Sequence, residues 1–203
     1  MGNGHRIRRT ATGLATGLAV IASLLVAGGG TANAAPAVVL DGSTAALAAP
    51  SCWSIKQNVP AAADGTYWLQ TSRLVVAQQF YCDMTTDGGG WVLVGRGRDG
   101  WDWSAKGQGS IAAVRTSPTG PSAFAVATLP SATVDGLLGG QPVSALTDGV
   151  RLRRATNAAG TTWQEARLNQ STTQNWNWTY GGGVRVANIR VDGTLYSGGN
   201  TQN

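Results

Sequence analysis

The sequence predicts a β-rich α+β fold, mainly antiparallel, and three observations carry that prediction. Short aromatic or β-branched runs recur between clusters of Gly, Asp, Asn and Ser, the pattern of strands separated by turns. Several runs alternate polar and apolar side chains with period two, and Asp192-Gly193 between two of them is a strong hairpin signal. Helix evidence is confined to one short stretch framed by cap and stop residues.

In chain order, residues 1–34 stand apart. His5, Arg6, Arg8 and Arg9 precede an apolar run over 11–27, and Ala32-Asn33-Ala34 stands before Ala35-Pro36. A basic start, an apolar middle and small residues two apart read as a secretory signal peptide cleaved after Ala34. The rival is an uncleaved membrane anchor; against it, Gly13 and Gly17 dilute a run near the lower length limit for spanning a bilayer. Of 203 residues, cleavage leaves 169, with 12 basic against 10 acidic side chains, and the net charge falls from +5 to +2. A product so weakly charged has no electrostatic case for nucleic acid as a partner. No second apolar span follows, so the expected product is secreted and extracellular, with no membrane partner after cleavage. Residues 35–50, rich in Ala, Pro, Ser and Thr without a clear period, read as a leader or linker. From Ser51 onward the length suits one domain.

Within that domain, 66–69 and 78–84 are aromatic-rich strands bounded by turn residues. Residues 91–94 are apolar on both faces, as in a buried strand. The Gly- and Ser-rich stretch 95–121 reads mostly as loop. Ser131 as cap and Gly139 as stop frame one short helix over 131–138. Residues 150–155 and 161–168 both alternate with period two, and 156–160 between them is a hairpin loop. A last hairpin runs from 184–191 through Asp192-Gly193 to 194–196.

The side-chain inventory is restrictive. After the signal segment there is no histidine and a single glutamate, Glu165, so Ser-His-Asp, Cys-His and imidazole-metal chemistry are excluded. Glycoside hydrolysis by a Glu pair is excluded as well, and only Asp combinations remain. The expectation is a protein that is not an enzyme and has no catalytic residues. Cys52 and Cys82 are the only cysteines; in an exported chain they read as one disulfide, and a reactive thiol would lack a base to activate it.

The segment Ser51-Cys52-Trp53-Ser54-Ile55, then Asp64-Gly65-Thr66-Tyr67-Trp68-Leu69, then Phe80-Tyr81-Cys82-Asp83-Met84-Thr85-Thr86-Asp87-Gly88-Gly89-Gly90-Trp91 resembles the start of a fibrinogen C-terminal-like domain. The likeness is to the secreted bacterial type with the Tyr-Cys-Asp…Gly-Gly-Gly-Trp motif, and its first part is also similar to ficolins, tachylectins and intelectins. Residues 51–103 match well and the remainder weakly; Val92 stands where the family usually has Thr. The family's C-terminal subdomain, with its calcium loop and ligand pocket, has no counterpart here, so the domain is expected to lack or truncate it. The resemblance implies a recognition module for carbohydrate or another cell-surface ligand, but none of the family's binding residues carries over. Within the motif, Tyr81, Asp83, Gly88, Gly89, Gly90 and Trp91 are expected to be structural: the glycines admit unusual backbone angles and Trp91 anchors the next strand. Trp53, Trp68 and Trp163 are expected to be structural as well.

Candidate ligand contacts are aromatic. Trp176, Trp178 and Tyr180 lie at i, i+2 and i+4, one face of a strand, with Asn169, Gln170, Gln174 and Asn175 nearby. Aromatic faces beside amides suit sugars, whose C–H faces stack while their hydroxyls bond; the alternative is core filling. Trp101 and Trp103 form a similar pair. The acidic pairs Asp83/Asp87 and Asp99/Asp102 lack the loop spacing of a calcium site, so no metal or cofactor is expected, although the family includes calcium binders. Arg151 and Arg153 share one strand face, expected to point to solvent, with Arg154 beside them; the alternative for this basic cluster is a role in holding an acidic ligand. Asn169-Gln170-Ser171 and Asn177-Trp178-Thr179 match glycosylation sequons.

Overall fold

Residues 37–98, 107, 109–178 and 185–198 are described in a computed structural model, and they form three antiparallel sheets and three short α-helices. The β-rich, antiparallel α+β class expected from the alternating runs is the one the chain adopts. The segment 1–34 lies outside the described residues.

The first sheet joins β1 (Gly65–Leu69), β2 (Gln78–Asp83) and β3 (Trp91–Val92), with Gly65 opposite Cys82 and Asp83 opposite Trp91. Ahead of it stands a helix absent from the expected elements, α1 (Cys52–Asn58). The Ser51 side chain accepts the Ser54 N–H at its start, and Val59 followed by Pro60 ends it. Its seven residues are too few for a period to register, although Cys52 and Ile55 bury one face. The expected disulfide is present: Cys52 on α1 is bonded to Cys82 on β2, with Cα atoms 5.7 Å apart. Closing 30 residues of chain is worth about 3–4 kcal/mol in the loop-entropy account.

Two expectations need correction. Residues 41–50 are no linker: they lie along β1, with the Trp68 N–H donating to Gly42 O, the Ala49 N–H to Trp68 O and the Gln70 N–H to Ala49 O. Ala49 is fully buried there. Gly42 and Ala49 are the positions of this segment that are buried against the edge of β1, while Ser43 to Ala46 stay exposed. The run 91–94 is not one buried strand. After β3 the chain changes partners: Leu93 N–H donates to Tyr81 O, while Val94 O accepts from Leu129 N–H. All four residues are half-buried, and β4 (Gly95–Arg96) pairs with β5 (Ala127–Thr128) as a separate ribbon.

The stretch read as loop holds α2 (Ile111–Arg115), whose Ser110 cap accepts the Ala113 N–H and whose Val114 is buried. α3 (Ser131–Leu137) matches the expected helix, but Pro130 occupies the cap position and its carbonyl accepts from Thr133 and Val134. Phe80, Ile55, Leu69, Met84, Leu129, Val114, Val134 and Val143 form the centre of the core, which draws the first sheet, the ribbon and the helices together.

The last sheet has the order β6 (Val150–Ala155), β7 (Trp163–Gln170), β8 (Val186–Val191), β9 (Thr194–Ser197). β7 starts two residues later than the alternation suggests. Asn157 Oδ1 accepts the N–H groups of Thr161 and Thr162, which holds them in the loop rather than the ladder. Asp192 adopts φ 45° and Gly193 φ 86° in the expected two-residue turn.

Candidate functional site

The register of the last sheet sorts its side chains by face. Arg151, Arg167, Arg190 and Leu195 stand opposite one another across β6, β7, β8 and β9; Arg153 faces Glu165, and Asn169 faces Asn188. Paired residues share a face, as do residues two apart, so these polar groups crowd one side. The other side carries Val150, Leu168, Ile189 and Val191, with Leu152 and Tyr196 exposed.

Three arginines in one row repel unless carboxylates intervene. The Tyr-Cys-Asp…Gly-Gly-Gly-Trp segment supplies them. Asp83 Oδ1 accepts the N–H groups of Thr85 and Thr86, and Oδ2 accepts from Arg151 Nη2 at 2.5 Å. The side chains of this pair are 9% and 13% exposed. Burial opposes ionisation of Asp83, but the Thr86 N–H and the Arg151 guanidinium outweigh it and hold the carboxyl below the usual carboxylate range. Asp87, at φ 51°, pairs with Arg167, which also meets Glu165 Oε1 at 2.8 Å. Burial lowers the Arg167 affinity for its proton, and those two carboxylates more than restore it. The Trp91 ring lies against both guanidiniums, 4.5 Å from Arg151 and 5.0 Å from Arg167. The motif is therefore a docking plate that clamps the first sheet onto the last.

Geometry explains its glycines. A Cβ at Gly89 would lie 2.0 Å from Met84 O, and one at Gly90 would lie 2.8 Å from Trp53 Cα. Gly88 has open space and needs only its positive φ. Asp64, from the Asp-Gly-x-Tyr part of the motif, accepts from Met84 N–H at 2.7 Å and from the Thr85 hydroxyl.

Where plate and sheet meet lies an open cleft of about 600 Å³. Its lining includes Asp87, Asp148, Glu165, Arg167, Asn169, Asn188 and Arg190. Some of these groups are committed: Asp87, Glu165 and Arg167 to each other, and Asn169 Nδ2 to the carbonyls of Leu146 and Thr147. Asp148 and Asn188 have no side-chain partner among the described residues, Arg190 has only a 3.4 Å contact with Gly193 O, and Asn169 keeps its Oδ1. Donors and acceptors thus face one solvent-open space. Among the described residues no group of three His, Cys, Asp or Glu side chains is placed to hold a metal ion.

No protein-family model matches the chain.

The aromatic candidates fall elsewhere. Trp176 is 5% exposed and belongs to the core, its backbone N–H donating to Asp135 Oδ1 at 2.7 Å. Trp178 is half-buried, donates its indole N–H to Leu129 O at 2.8 Å and packs edge-on against Trp176 with centroids 5.1 Å apart. Neither lies in a strand. With 5% exposure, Trp176 offers no face for stacking. Tyr180, Trp101 and Trp103 lie outside the described residues, as do Asp99 and Asp102. Gln170 is buried and accepts from Gln174. Of the four amides singled out, only Asn169 lines the cleft, and its sequon nitrogen is occupied by two carbonyls.

Among residues expected to be structural, Trp53 is 54% exposed beside Gly90. Arg151, expected to face solvent, is the buried partner of Asp83, because the motif segment covers its face of the sheet. Arg153 remains exposed over the Trp163 ring, 4.7 Å away. The cleft residues Asp148, Asn188 and Arg190 escaped the sequence reading. The alternation over 186–191 carried a signal, placing Asn188 and Arg190 on one face, but only the register sets that face against Asn169 and Arg167.

Proposed function

We propose that the chain is a secreted, non-enzymatic recognition module of fibrinogen C-terminal-like type, and that its polar cleft binds carbohydrate. One observation carries the reading: uncommitted donors and acceptors from Asp148, Asn169, Asn188 and Arg190 face a single open cleft. A saccharide presents adjacent hydroxyls, each donor and acceptor at once, and planar carboxylate, carboxamide and guanidinium groups match them in pairs. The Tyr-Cys-Asp…Gly-Gly-Gly-Trp motif supports the family, and its Asp87 forms part of the cleft wall.

A second reading, a structural or adhesion segment with no pocket of its own, draws on the motif residues being consumed in docking the two sheets. One experiment separates the two. The purified protein is applied to a glycan array with and without calcium, alongside Asn188→Ala. Binding that Asn188→Ala abolishes at unchanged melting temperature supports the cleft. Binding by no glycan in either condition leaves the structural reading.

A further inference from the structure

The cleft holds two guanidiniums in direct cross-strand register, Arg167 and Arg190, and their surroundings differ. Residues so paired keep their Cβ atoms about 4.5–5.5 Å apart, and like charges there are destabilising unless anions lie between them. Arg167 has two carboxylates, Asp87 and Glu165. Arg190 has no carboxylate partner among the described residues and is exposed to the cleft. The acidic groups nearest in sequence and register are already engaged: Asp192 accepts from Glu165 N–H at 2.9 Å and from Gln164 Nε2 at 3.3 Å, and Glu165 holds Arg167.

Beside Arg190 on the same face of β8 is Asn188, two residues away and hence about 7 Å along the strand. Asn188 in turn faces Asn169 on β7. The remaining charged group of the lining, Asp148, comes from the loop before β6, on the far side of β7 from Arg190. The cleft lining holds three carboxylates, Asp87, Asp148 and Glu165, and two guanidiniums, Arg167 and Arg190; with Asp87 and Glu165 spent on Arg167, its uncommitted groups run from Arg190 on β8 through Asn188 and Asn169 to Asp148 before β6.

We propose that the saccharide taken by this cleft is acidic, a uronate-type sugar whose carboxylate is held by Arg190 while its hydroxyls run across Asn188 and Asn169 towards Asp148. The inference rests on the carbohydrate reading above and narrows it. A guanidinium pairs with carboxylate through two parallel N–H···O bonds, which a neutral hydroxymethyl group at the same position cannot reproduce.

The test is a glycan array carrying matched pairs, each a hexuronate oligosaccharide and its methyl ester, which share a backbone and differ in charge. Wild type should bind the acid form at least about tenfold tighter than the ester, the scale of one charge-assisted hydrogen-bonding group. Arg190→Gln should bring that ratio close to one without moving the melting temperature, since Arg190 is exposed. Arg190→Lys should recover only part of it, keeping charge but losing the two-pronged geometry. Equal binding of acid and ester by wild type overturns the acidic specificity and leaves the carbohydrate reading standing. A preference that survives Arg190→Gln also overturns it, because the acid is then read elsewhere. Failure of every glycan to bind removes both.

Discussion

Asp83→Asn isolates the charge in the contact between the two sheets. The substitution preserves Oδ1, so the N–H groups of Thr85 and Thr86 keep their acceptor. It removes the anion facing Arg151, whose side chain is only 9% exposed. Breaking a fully buried pair from one side costs about 3–5 kcal/mol, because the remaining charge stays desolvated. Asp83 is itself 13% exposed and water reaches it, so the expected loss is smaller, about 2–3 kcal/mol. Arg151→Met should be milder: it leaves Asp83 close to water and keeps an apolar stem against Trp91. The double variant Asp83→Asn, Arg151→Met should recover at least about 1 kcal/mol relative to the sum of the singles, since the two residues share one interaction. Urea denaturation of the four proteins, with oxidised disulfide throughout, gives the coupling directly. If Asp83→Asn costs under about 0.5 kcal/mol, or the double variant is additive, the ion pair does not hold plate and sheet together and the reasoning fails.

Three further outcomes are expected. Gly88→Ala should cost about 1 kcal/mol, the strain of a left-handed alanine, whereas Gly89→Ala should prevent folding because its Cβ meets the Met84 carbonyl; circular dichroism melts compare them. Trp176→Ala should lose about 3–5 kcal/mol in the same measurement, as a core ring does, where a surface platform would lose almost nothing. The folded Asp83 carboxyl titrates below its ordinary value of 3.8, so its contribution is complete above that pH and is lost as pH falls through the folded value. Stability measured from pH 6 downward should therefore drop less steeply for Asp83→Asn than for wild type.

Much of this fold was legible because local chemistry suffices for it. Turn residues between alternating runs located β1, β2, β6, β7, β8 and β9, and Asp192-Gly193 set the last hairpin. α3 was legible from Gly139 as its stop, whereas α1 and α2 escaped because they are too short for a period and no glycine directly ends them, and the segment 41–50 escaped because its partner, β1, follows it in the chain rather than lying within it. The tryptophans show the same limit. A ring that stacks a sugar and one that fills a core look alike in sequence, and only packing placed Trp176 inside and Trp53 outside.

By itself the sequence determined the class, the disulfide pairing and the absence of imidazole chemistry after residue 34, all consequences of composition and short-range pattern. It also marked the Gly-Gly-Gly turn as special. The tertiary structure decided what that turn is for. Asp83, Asp87 and Trp91 act on arginines about 60 to 80 residues later in the chain, and no local rule foresees which strand face will receive them. It also decided the cleft, because Asp148, Asn169, Asn188 and Arg190 become neighbours only through the register of β7 with β8 and the loop that leads into β6. Register is a long-range property: a slip of one residue would turn every one of those strand side chains to the opposite face.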